Sequence, residues 1–190
     1  QLADLGHEIL LFDVRGHGRN RPQPHASIRA FRDDLMAVSR YAAKRFPDRQ
    51  LVVIGHSMGG AAGVLAAAEG APIDGLVLIA APCDVVRVTG EYLSDKGLPG
   101  RFIVNLVRPF WWRRVGGTFR SLTPTRRIRE LDIPLLLIQP EHDGRVVREH
   151  ADLLAKAAQT DYRLIPDREH TDVLKDSLTL RFVLEFLEDV

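Results

Sequence analysis

The amino-acid sequence predicts an α/β protein: a mostly parallel sheet with helices on both faces. Three observations carry that prediction. Strand-like and helix-like stretches alternate along the chain. The strand-like stretches are short continuous apolar runs, such as LVVI at 51–54 and LVLIA at 76–80, which suit strands covered on both sides better than two-residue alternations do. The stretches between them repeat apolar residues at helical spacing.

In chain order, Leu2 to Gly6 reads as the last turn of a helix closed by glycine, so the chain reads as beginning in mid-fold. Glu8 to Asp13 (EILLFD) is expected to be a buried strand, leading into the glycine-punctuated loop Val14 to Asn20. Ser27 to Phe46 carries Ile28, Phe31, Leu35, Val38, Tyr41 and Ala42 at helical spacing and is stopped by Pro47-Asp48. Leu51 to Ile54 is a second strand. Gly60 to Glu69, rich in alanine, is a helix able to lie close against a sheet. Pro72 and Gly75 introduce a third strand, Leu76 to Ala80. Asp84 to Arg129 is irregular. Regularity returns with a fourth strand at Pro134 to Gln139, a helix at about Val146 to Ala158, a fifth strand at Tyr162 to Ile165, and a last helix at about Thr171 to Glu188. This divides the chain into a first core part (1–83), an inserted section (84–129) and a second core part (130–190).

Composition narrows the function classes. The chain is 45% hydrophobic and 27% charged, with a formal net charge of +1, so global charge points to no partner. Cys83 is the only cysteine, which excludes an internal disulfide and multi-cysteine zinc sites. No apolar run has the length to span a bilayer. Gly16-His17-Gly18 begins like a dinucleotide fingerprint but lacks the third glycine. There is no phosphate-binding Gly-Lys-Ser/Thr, no internal repeat and no recognisable nucleic-acid module.

One motif carries chemistry. Gly55-His56-Ser57-Met58-Gly59 places a serine between two glycines, after a strand and before a helix. That context is the nucleophile-elbow pattern. A side chain on either flanking glycine is expected to collide with backbone in so sharp a turn. The turn exposes the Ser57 hydroxyl at a helix N-terminus, where free N–H groups and the dipole favour developing negative charge. The Met58 N–H is placed to serve as an oxyanion donor.

With these residues quoted, the chain resembles the α/β-hydrolase superfamily, and within it the small serine esterases, lysophospholipases and serine aminopeptidases with a modest lid. Asp13-Val14-Arg15-Gly16-His17-Gly18 matches the Asp-x-Arg-Gly-x-Gly loop of that superfamily, and Gly55 to Gly60 matches its elbow. Gln139-Pro140-Glu141-His142-Asp143 stands where its members place an acid, and Glu169-His170 where they place the histidine. The order Ser57, Asp143, His170 is the one the resemblance leads us to expect. It implies acyl transfer to Ser57, with His170 as general base and acid and Asp143 orienting the imidazole. No metal or cofactor is called for, and the implied partner is a small ester or acyl substrate. Relatives usually carry glycine where Pro140 stands, a departure that bears on the placement of the acid. The resemblance also implies earlier strands and a second oxyanion loop that are not among these residues, so the chain alone is expected to turn over slowly and to fold poorly.

Rival assignments remain at this point. His56 flanks the serine and is read as a substrate-binding residue; His17 and His142 lie in site loops; His7, His25 and His150 are expected at the surface. Asp84, Asp167 and Asp172 are rival acids. Glu141, His142, Asp143, Glu149 and His150 could be read as a metal cluster, but their spacing matches no usual ligand pattern. In the inserted section, ten basic residues stand against three acids, interleaved with Phe102, Phe110, Trp111, Trp112 and Phe119. Phe110, Trp111 and Trp112 are read as substrate-binding. The arginines admit two readings: peripheral contact with acidic head groups or an anionic membrane surface, or a solvated face over aromatics packed onto the core.

Overall fold

Ser27 starts the first helix. Its extended backbone (φ −133°, ψ 157°) and a hydroxyl that accepts from the Ala30 N–H make it an N-cap for α1, Ile28–Arg45. In the computed structural model residues 2–3, 6–22, 27–115 and 119–190 are described, with backbone alone at 111–115 and 119–120. Lys44 and Arg45 close α1 on the favourable side of its dipole. Four parallel strands follow the apolar runs: β1 Val52–His56, β2 Gly75–Ile79, β3 Leu135–Pro140 and β4 Tyr162–Ile165. They lie side by side in chain order, β1-β2-β3-β4. The register pairs Gly55 with Leu78, Ile79 with Ile138, and Pro140 with Ile165.

Helices cover both faces, as expected. Alternate residues of β2 point to opposite sides. Leu76 and Leu78, with Leu137, pack against Val64 of α2 (Met58–Ala68) and Leu154 and Ala155 of α6 (Glu149–Ala158). Val77, Ile79, Ile138 and Ile165 pack against Val183, Phe182 and Phe186 of α7 (Ser177–Asp189). The last helix is shorter than the periodicity suggested. Asp176 accepts from the Leu178 N–H and caps α7, while Asp172–Lys175 forms a separate tight 3-10 turn. Between β2 and β3 run α3 (Val85–Asp95) and α4 (Gly100–Val115), packed on each other. The chain then returns to the core through α5 (Pro124–Arg127), where Leu122 and Ile128 are buried.

One expected strand does not form. Glu8–Asp13 has no ladder partner, and Ile9 and Leu11 are 47% and 89% exposed. A strand exists only through the hydrogen bonds of a neighbour. Among the described residues, the outer edge of β1 is unpaired. Local contacts hold the following loop instead. The Asp13 carboxylate accepts from the Arg19 N–H at 3.0 Å, and the Arg15 backbone N–H and guanidinium bind Asp34 of α1.

Candidate active site

Ser57 sits between β1 and α2 with φ 53° and ψ −122°, a left-handed conformation that is strained for a residue with a side chain. Close backbone approach enforces it. A Cβ on Gly55 would lie 2.6 Å from the Gly60 Cα, and one on Gly60 would lie 2.9 Å from both the Gly55 oxygen and the Ala81 Cβ. The crowding expected at Gly55 and Gly59 therefore falls on Gly55 and Gly60. A Cβ at Gly59 would meet nothing within 4 Å, because the first turn of α2 aims that position away from the elbow. The Ser57 N–H donates to the Ile79 oxygen at 2.8 Å, pinning the turn to β2. Met58 opens α2, so its N–H belongs to the first turn, whose donors have no acceptor within the helix.

Two loops at the carboxyl ends of β3 and β4 bring an acid and an imidazole together. Asp143 and His170 are both buried, and His170 Nδ1 lies 2.7 Å from Asp143 Oδ2. The other carboxylate oxygen accepts from the Arg145 and Val146 N–H groups, each at 2.8 Å. Both oxygens of Asp143 are thus engaged. A carboxylate only accepts, so His170 donates from Nδ1 and keeps the lone pair of Nε2. Pro140 does not disturb this arrangement. It closes β3 opposite Ile165, and Gln139 Nε2 donates to the Pro140 and Val146 oxygens at 3.3 and 2.9 Å, bracing the acid loop from below. The two loops are tied by the His142 N–H donating to the Arg168 oxygen at 2.9 Å.

His56 links this pair to the elbow. Its Nε2 donates to the His170 backbone oxygen at 2.8 Å, and the two rings lie 4.6 Å apart, tilted by 46°. Burial holds the His56 imidazole below its ordinary pKa, against the opposing pull of its hydrogen bond to the His170 oxygen. Among the described residues, the Ser57 hydroxyl makes no hydrogen bond to His170. Sequence reasoning placed His56 with the substrate and missed both its bond to His170 and the bracing by Gln139. A lone polar residue closing the apolar run PLLLIQ was the available signal for Gln139.

The rivals go elsewhere. Asp84 caps α3, accepting from the Val86 and Arg87 N–H groups. Asp167 and Asp172 are exposed. His7, His17 and His142 are exposed, and His25 lies outside the described residues. His150 was expected at the surface but is fully buried. Its Nδ1 accepts from the Cys83 N–H at 3.1 Å and its Nε2 donates to Glu91 at 2.7 Å, so the residue joins α6 to α3. It stands four residues before Leu154 on the apolar side of α6, the spacing that could have revealed it. Glu149 pairs with Arg87. The metal cluster considered from the sequence is therefore split among separate partners. Glu141, His142 and Asp167, all exposed, do bring ligand atoms within 4.8 Å of one another, but exposed acidic groups commonly sit this close with no ion. Phe110 is 67% exposed, and the side chains of Trp111 and Trp112 lie outside those described. A cavity of about 450 Å³ opens beside the acid loop between Tyr92, Asp95, Lys96, Gly144 and Arg145. A larger one of about 880 Å³, walled by Cys83, Asp84, Arg87, Thr125 and Leu153 among others, lies away from Ser57 and His170.

Comparison with known proteins places the fold. The chain is similar in fold to the Pyrococcus furiosus esterase Pf2001, with a TM-score of 0.73 and 21% identity over 99% of this chain and 73% of that one. TT1662 from Thermus thermophilus gives a TM-score of 0.65 at 20% identity, covering 94% and 74%. A thermophilic esterase from Thermogutta terrifontis gives 0.60 at 18% identity, covering 93% and 78%. No curated protein matches the chain. The family model described as serine aminopeptidase, S33, matches residues 1–107, more than half of the length. A parallel sheet, a strained serine at the turn from β1 to α2 and this family match together lead to one conclusion: the chain belongs to the S33 serine aminopeptidase-like family of α/β-hydrolases.

Proposed function

We propose that this hydrolase cleaves carboxylic esters, thioesters and lysophospholipids included, through an acyl-enzyme formed on Ser57. The observation that carries the reading is the buried Asp143–His170 pair, held against the elbow by His56. With Nδ1–H engaged by Asp143, the free Nε2 of His170 is a base for the serine proton. The bond between Ser57 and His170 forms as substrate enters, since such contacts are often loose in the empty enzyme. Ser57 attacks the carbonyl carbon, and the oxyanion is met by the Met58 N–H at the start of α2. His170 returns its proton to the leaving alcohol or thiol. Water, deprotonated by the same imidazole, then releases the acid and frees Ser57.

The test is labelling by a fluorophosphonate probe. The expected result is one labelled serine, lost in Ser57→Ala. A p-nitrophenyl ester series of increasing chain length then defines the acyl preference. Absence of labelling in the folded protein would favour a binding protein that has lost its chemistry. A second reading, cleavage of peptide amides, is favoured by the aminopeptidase description of the matching family model. Incubating the protein with matched ester and amide substrates, and identifying the products, separates the two.

A further inference from the structure

The cavity of about 880 Å³ that lies away from Ser57 and His170 is walled by four arginines: Arg87, Arg126, Arg127 and Arg129. Two of them are engaged within the protein. Arg87 donates to Glu91 at 2.7 Å and pairs with Glu149. Arg127 pairs with Glu130 at 2.6 Å and donates to the Ala68 oxygen at 2.8 Å. The other two, Arg126 and Arg129, are exposed, and among the described residues neither has a hydrogen-bond or ion-pair partner. The backbone that carries them is nevertheless fixed. The Thr125 N–H and hydroxyl both donate to the Cys83 oxygen, at 3.0 and 2.5 Å, which fastens α5 to the segment after β2. Ile128, between the two arginines, is buried.

Like charges gathered on one cavity wall repel one another, and an anion shared between them relieves that cost. The whole chain carries only +1, so the attraction belongs to this wall and not to the molecule at large. A guanidinium fork matches the oxygens of a phosphate group and binds them bidentately. The volume is much larger than an ion needs and falls in the range of small-molecule sites. Leu153 of α6, half-buried, gives the same cavity an apolar side. We propose that this cavity binds a small organic phosphate, its phosphate oxygens held by Arg126 and Arg129 and its carbon skeleton resting against Leu153. The site is separate from the acyl chemistry at Ser57.

Isothermal titration calorimetry at one ionic strength tests this without reference to the reaction, and Ser57→Ala should bind as the unaltered protein does. Phenyl phosphate is the probe, with inorganic phosphate and phthalate as comparisons. Inorganic phosphate is expected to bind about tenfold more weakly, because it leaves the apolar side empty. Phthalate, with carboxylates in place of the phosphate, should also bind more weakly. Arg126→Gln combined with Arg129→Gln should weaken phenyl phosphate binding about tenfold or more. The matching double lysine variant keeps the charge without the fork and should lose about threefold. Both arginines are exposed, so the circular-dichroism melts of these variants should match that of the parent. The proposal is overturned by failure to bind phenyl phosphate, by double-glutamine binding equal to that of the parent, or by phthalate binding as tightly. Equal affinity for inorganic phosphate would overturn the organic part of the ligand.

Discussion

Single side chains decide the chemistry at the elbow and at the ends of β3 and β4. If Asp143 only oriented a loop, Asp143→Asn would leave turnover nearly unchanged. In the mechanism above it fixes the tautomer of His170, so the variant should keep its fold and lose about 10⁴-fold in kcat, read with a p-nitrophenyl ester. The two inner glycines of the elbow should separate sharply. Gly60→Ala forces a Cβ to 2.9 Å from the Gly55 oxygen and should cost about 1–3 kcal/mol, whereas Gly59→Ala enters open space and should be neutral or slightly stabilising. Urea unfolding of both variants checks this. His56 has a stability signature with a definite sign. Its imidazole is held below the ordinary value of 6.5, so the unfolded chain binds the proton more readily than the native one. Its contribution is therefore full above pH 6.5 and declines as pH falls through that value toward the lower native pKa. The urea midpoint should drop between about pH 7.5 and about pH 5, and His56→Gln should flatten that drop.

Helices and strands set where those side chains meet. Parallel strands end at one rim, so loops after β1, β3 and β4 converge there although they are distant in sequence. The α3–α4 pair is tied to the body of the sheet. It is fastened to the core through His150, which bridges the Cys83 N–H and the Glu91 carboxylate with no exposure to solvent. Removing that imidazole leaves a buried N–H without an acceptor and a carboxylate without its donor. His150→Leu should therefore destabilise the protein by about 2–3 kcal/mol. Chemical denaturation measures the loss, and proteolysis within 84–115 should quicken with it. Apolar periodicity found α1, α2 and α6 to within a few residues. It misjudged the last helix because Asp176 starts a new cap inside a pattern that still looked continuous.

Taken as one body, the molecule exposes two apolar stretches among the described residues: Phe102, Leu106 and Phe110 of α4, and Ile9–Phe12 ahead of α1. An exposed apolar segment with no strand partner is a site for self-association. Ile9→Lys combined with Leu11→Lys should lower light scattering on storage without shifting the melting temperature, since neither side chain is in the core. The sequence alone determined the class of the fold, because continuous apolar runs alternating with amphipathic ones can be satisfied only by strands buried between helices. It also pointed to Ser57 through Gly-x-Ser-x-Gly, a local backbone requirement, and to Asp143 and His170 only through the resemblance to α/β-hydrolases, which place an acid and a histidine after late strands. Four things rested on tertiary contact, which no local pattern records. They are the failure of Glu8–Asp13 to pair, the burial of His150, the transfer of elbow crowding from Gly59 to Gly60, and the bond from His56 to His170. Each depends on what lies across space, and through-space neighbours are fixed only when strands, loops and helices are packed together.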